Sequence, residues 1–122
     1  MGKITAVTIK TDGALTVVKD FETGYESMQK AVGGYIEAVT LHEDKNHEIT
    51  LWLNEEGKIH GLPPNFYLIE QSGRVLDIIV GDVLITATKN GETTSLSIQD
   101  IVTLRKKFKL NEPGLERMYI YR

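Results

Sequence analysis

Apolar and polar residues alternate at the start of the chain. Ile4, Val7 and Ile9, with the weaker Ala6, are interleaved with Lys3, Thr5 and Thr8. A period near two is that of a half-buried strand. A second β-rich run, Ala14 to Val18, follows Asp12-Gly13. Glycine tolerates the positive φ of a tight turn, so the two runs predict a hairpin. The period changes between Tyr25 and Val32, where Met28, Ala31 and Val32 fall on one side of a helix and Gln29 and Lys30 face away. Gly33-Gly34 ends that helix. It is short, so packing must hold it.

Strand patterning resumes at Tyr35 to Leu41 and at Glu48 to Leu53, with the polar segment His42 to His47 read as a loop between them. Asn54-Glu55-Glu56-Gly57 predicts a turn, and Lys58-Ile59-His60 a short returning strand. Gly61-Leu62-Pro63-Pro64-Asn65 predicts irregular chain, because each proline lacks an N–H and fixes its own φ. Phe66 to Gln71 fits one helical turn or a short strand, and Gln71 to Arg74 a loop. Val75 to Val80 and Val83 to Thr88 are strands interrupted by Gly81-Asp82, and Asn90-Gly91 signals a hairpin. Ser97 to Lys109 predicts a second helix, with Ser97 as N-cap, Asp100 in the first turn and Arg105, Lys106 and Lys107 near its end. Ile98, Ile101, Val102, Leu104 and Phe108 form its apolar face, and Met118 to Tyr121 a last, edge strand. The fold class expected is α+β: a mostly antiparallel sheet of about six strands with two or three helices, in one domain spanning residues 1–122.

Composition narrows the function classes. The chain has 122 residues, enough for one core. Its net charge of −3, from 14 basic and 17 acidic residues, is too mild to predict a partner. A duplex-DNA binder usually carries a basic excess. Nucleic acid is therefore not the expected partner. Zero cysteines exclude disulfides, thiolate metal sites and cysteine nucleophiles. Their absence favours a reducing cytoplasm, the localisation expected here. The N-terminal sequence has no apolar leader, and no stretch is long enough to cross a bilayer.

Catalytic motifs are missing. His42 and His47 stand five apart in a polar segment, not at the four-residue helical spacing of a zincin. No Gly-x-Ser-x-Gly elbow, phosphate-cradling Gly-x-x-x-x-Gly-Lys loop or Gly-x-Gly-x-x-Gly is present. No cofactor, metal or catalytic residue is expected. Carboxylates are the more informative group: Glu55 and Glu56 beside Asn54 in a turn, and Asp82 after Gly81. Paired carboxylates suit acid–base work or a hard metal, but in turns they also accept backbone N–H bonds. The basic end of the second helix could meet phosphates, or simply face water. Tyr35, Trp52, Phe66 and Tyr67 flank the irregular Asn54–Asn65 segment, where aromatics and amides together suit a small planar ligand or an ordinary core.

The run Val32-Gly33-Gly34-Tyr35-Ile36-Glu37-Ala38-Val39 resembles the family of the domain of unknown function DUF3846, as do three further blocks. They are Asn54-Glu55-Glu56-Gly57-Lys58, Gly61-Leu62-Pro63-Pro64-Asn65 and Ile79-Val80-Gly81-Asp82-Val83-Leu84-Ile85, so the likeness covers about Ala31 to Ala87. The N-terminal hairpin and Ser97–Arg122 fall outside it. The resemblance implies a bacterial, plasmid or phage origin and brings no activity. Three functions are expected in order. The first is a homo-oligomeric, non-catalytic binding protein of a mobile element, such as a counter-defence protein sequestering a nucleotide-like signal. Its ligand site would draw on Tyr35, Glu37, Asn54, Glu56, Asn65, Asp82, Arg105 and Lys107. The second is a protein or nucleic-acid adaptor using the basic helix and edge strand. The third is a metal-dependent hydrolase using Glu55, Glu56, Asp82 and a histidine.

Overall fold

The chain runs back on itself as antiparallel strands with two short helices, and the strands divide between two sheets. The computed structural model describes residues 2–121; Met1 and Arg122, the ends of the expected domain, lie outside the described residues. Strands β1 (Lys3–Ile9) and β2 (Leu15–Glu22) form the expected hairpin, followed by α1 (Tyr25–Val32). Strands β3 (Ile36–Asp44) and β4 (His47–Asn54) form a second hairpin. Strands β5 (Pro64–Ile69), β6 (Val75–Val80), β7 (Val83–Lys89) and β8 (Glu92–Thr94) follow. Helix α2 (Ile98–Lys107) leads into β9 (Phe108–Lys109), and β10 (Met118–Ile120) closes the order.

The larger sheet has the order β2-β1-β7-β4-β3, with β8 paired to β7. The smaller has the order β6-β5-β10-β9. Its β10–β5 pair is the parallel one; the other strand pairs are antiparallel. Alternation along the central strands explains the layering. In β1, Ile4 and Ala6 face α1, packing with Met28, Val32 and Leu84. Val7 and Ile9 face the other way, into the main core with Leu51, Ile85, Phe66 and Tyr119. Helix α1 therefore covers one face of the larger sheet, and the smaller sheet with α2 covers the other. Fully burying a side chain such as Met28 or Val32 is worth about 1.5–3 kcal/mol, which compensates for the short length of α1.

Several expectations are corrected. The mostly antiparallel α+β architecture and a six-stranded sheet are as expected, but a second, four-stranded sheet accompanies it. His42–His47 is not a loop: its ends belong to β3 and β4, and the turn is Lys45-Asn46, with Lys45 at φ 52°. Lys58–His60 is not a strand but part of a coiled turn, held by the His60 N–H donating to the Glu56 carbonyl and the Leu62 N–H to the Gly57 carbonyl. Pro64 and Asn65 begin β5 rather than continuing the irregular loop, Pro64 taking the first strand position where proline is tolerated. Ile98 and Val102 are exposed rather than on the buried face of α2. The last strand is interior to its sheet, not an edge. Asn90 and Gly91 both have positive φ, the geometry of a type I′ hairpin turn. Among the described residues no helix is long and apolar enough to cross a membrane.

Candidate functional site

The four sequence blocks of the central stretch converge at the C-terminal end of α1. Gly33 adopts φ 80°, and its N–H and that of Gly34 both donate to the Gln29 carbonyl, closing the helix. Asn54 ends β4 directly beneath. Its Nδ2 donates to the Val32 carbonyl at 3.4 Å, and its Oδ1 accepts the Glu56 N–H at 2.9 Å. A Cβ on Gly34 would lie 2.7 Å from that Nδ2, so only glycine lets the helix end approach Asn54. Gly81, at φ 78°, likewise makes room for the Leu62 side chain, 2.8 Å from where its Cβ would stand.

Two clefts flank this junction and share Gly33 and Leu62. The first, of about 320 Å³, is lined by Thr11, Lys30, Pro63, Gly81 and Asp82 beside the end of α1. The Asp82 Oδ1 accepts the Thr11 N–H at 3.1 Å, a tertiary contact to the β1–β2 turn rather than a bond within its own turn. The second cleft, of about 350 Å³, is lined by Gln29, Gly34, Tyr35, Asn54, Glu56 and His60. Tyr35, 58% exposed, is part of its wall. His60 Nε2 lies 3.5 Å from Glu56 Oε1.

The eight expected ligand residues divide evenly. Tyr35, Asn54, Glu56 and Asp82 line the paired clefts. Glu37 lines a smaller cleft of about 160 Å³ with Lys58, Ile59 and Asp77. Asn65 is 2% exposed and committed to the fold: Nδ2 donates to the Ile9 and Gly81 carbonyls, each at 2.9 Å, and Oδ1 accepts from Arg117 Nη2 at 2.9 Å. Arg105 lines a separate cleft with Ala14, Leu15 and Phe108, across the larger sheet from α1. The Lys107 ammonium lies 5.9 Å from the centre of the Tyr119 ring. The expected cationic arm thus stands away from the carboxylates and Tyr35.

Sequence reasoning missed Thr11, Gln29, Lys30 and His60. Lys30 and Gln29 read as the solvent side of α1, and nothing in periodicity marks that side as a cleft wall. It also missed Arg117, whose guanidinium donates to the carbonyls of Asn65, Gly13, Leu110 and Lys10 as well as to Asn65 Oδ1. Burial holds its pKa below the ordinary guanidinium value, partly offset by the Asp12 charge. Through Asn65 and the Gly81 carbonyl, this network fixes the chain beside Asp82. Among the described residues no three His, Asp or Glu side chains are grouped to hold a metal ion. Glu56 and His60 belong to one cleft and Asp82 to the other. His47, from the polar segment between β3 and β4, instead sets Nε2 3.0 Å from both carboxylate oxygens of Asp100 on α2.

The family model of the domain of unknown function DUF3846 matches residues 4–109. The match is wider than the central blocks: it takes in the β1–β2 hairpin and α2, which the resemblance left outside, and stops before Arg117 and β10. No curated protein and no solved structure matches the chain.

Proposed function

We propose that this chain, which belongs to the DUF3846 family, is a non-catalytic binding protein whose ligand occupies the paired clefts at the end of α1. The observation that carries this reading is the convergence of four blocks distant in sequence on one junction, with side chains left over that turn-making does not use. Gly33, Gly34, Gly81 and Asn54 have structural duties there. The Tyr35 ring, the Lys30 ammonium, the Gln29 amide and the second Asp82 oxygen do not.

Those groups define a ligand chemistry. An exposed aromatic ring offers a stacking surface, carboxylates accept from amino or ring N–H groups, and Gln29 and His60 add further hydrogen-bonding capacity. Lys30 and Asp82 line the first cleft and Glu56 the second, while Arg105 and Lys107 are elsewhere. That balance suits a heterocycle with few phosphates, a nucleoside- or mononucleotide-like molecule, better than a polyphosphate. The biological setting in this proposal is counter-defence, a mobile-element protein acting by sequestering such a signal.

Calorimetric titration with a panel of nucleosides, mononucleotides and cyclic nucleotides tests it. At least one compound should bind saturably with a dissociation constant in the micromolar range, and Tyr35→Ala and Asp82→Asn should each weaken it about tenfold, a loss of about 1.4 kcal/mol. Absence of binding across the panel at about 1 mM, an affinity no tighter than about 4 kcal/mol, would remove the nucleotide-like ligand.

A further inference from the structure

The smaller sheet has an inner and an outer face, and the outer face is apolar. Register fixes which residues share it. Ile78 pairs with Tyr67, Tyr67 with Met118, and Met118 with Lys109, one outward row across β6, β5, β10 and β9. Val75, Ile69 and Ile120 form the next. Their neighbours Phe66, Leu68, Ile79 and Tyr119 point inward and are buried. None of the six outward apolar residues belongs to either core cluster. Val75 is 51% and Ile78 41% exposed.

Sheets of this kind normally have one face on the core and a polar face in water. Here the sole charge in the two rows is Lys109. The edge beside the face is guarded: the Asp77 carboxylate accepts the Ile78 N–H at 2.7 Å and the Lys58 ammonium at 2.6 Å, so strand addition at β6 meets a blocked centre. The face, not the edge, is the open surface.

We infer that this face pairs with the same face of a second copy of the chain, sheet on sheet. The strand order β6-β5-β10-β9 decides the fit. A two-fold axis parallel to the strands lays β6 of one copy over β9 of the other. That keeps the two Lys109 ammonium groups on opposite rims, apart from each other. Apolar rows meet apolar rows, and two rows with one cation and no carboxylate offer little charge pattern for selecting a different protein. Pairing two such faces, rim included, buries roughly 1,000 Å², the lower limit for specific association, so the dimer forms in the micromolar range. The inference is independent of the ligand reading, because none of the residues lining the paired clefts belongs to the two outward rows.

Sedimentation equilibrium of the purified chain tests it. From about 1 to about 300 µM, where an interface of this size dissociates, the mass should rise from one chain of 13.7 kDa toward two. Ile78→Lys and Val75→Lys replace side chains that are already half exposed, so both variants should keep the wild-type circular dichroism. Each should raise the dissociation constant at least about tenfold by stranding a charge in the apolar contact. A single-chain mass at every concentration overturns the inference, whether or not that monomer binds lipid vesicles or another protein. So does a dimer that both folded variants retain at wild-type strength.

Discussion

Replacing Asn65 with alanine should be among the most damaging single changes in the chain. Its amide makes three hydrogen bonds with 2% exposure: two to the carbonyls of Ile9 and Gly81, one from the Arg117 guanidinium. The variant leaves two buried carbonyls and a charged donor without this partner. At about 1 kcal/mol for each neutral bond and about 1.5–3 for the charged one, the loss is about 3.5–5 kcal/mol. A domain of this size has about 5–15 kcal/mol in total, so the urea midpoint should fall by a large fraction. Trp52 is the sole tryptophan and packs beside the α1-face core, giving a clean fluorescence signal. A double-mutant cycle with Arg117→Met isolates the charged bond, and the two losses should fall short of additivity by about 1–2 kcal/mol. A loss below about 1 kcal/mol for Asn65→Ala, or strict additivity, would refute the network as a stability element.

Tyr119→Phe should be neutral or stabilising by up to about 1 kcal/mol, because the buried hydroxyl has no hydrogen-bond partner among the described residues. Burial, and then the Tyr121 charge, push that hydroxyl above the usual tyrosine range. Its contribution is therefore intact below about pH 10, where the free tyrosine titrates, and is lost as pH rises beyond it. Alkaline denaturation of Tyr119→Phe should lack that component, and identical wild-type and variant curves would contradict the assignment. Ser97→Ala should cost about 1 kcal/mol through loss of the capping box with Asp100, and Asp100→Ala more, because His47 loses its partner as well. Thermal melts giving the opposite order would argue against the His47–Asp100 link between β4 and α2.

Local chemistry was legible in the sequence, and long-range pairing was not. Gly33 ending α1, Asn90-Gly91 turning β7 into β8, and Ser97 capping α2 each follow from backbone preferences of a few adjacent residues. A period of two marks a strand without naming its partner. Gly81-Asp82 therefore read correctly as an interruption, while the passage of the chain there from one sheet to the other was hidden. The same limit placed β10 at an edge, though it lies between β5 and β9. The candidate site was half legible. Its glycines and turn residues announced a structured junction, but Lys30 and Thr11 enter through tertiary contact alone. Arg105 and Lys107 were grouped with that junction on charge alone, and the larger sheet stands between.

Amide chemical-shift mapping of the labelled protein during titration with the nucleotide panel tests the ligand site most directly. Binding should perturb a contiguous set: Thr11, Lys30 to Tyr35, Glu56 to Leu62, and Gly81-Asp82. The outward face of β6, β5 and β10 should respond to protein concentration instead. Shifts confined to α2 around Arg105 and Lys107, or no shift at these positions with any compound, would contradict the paired clefts as the binding site.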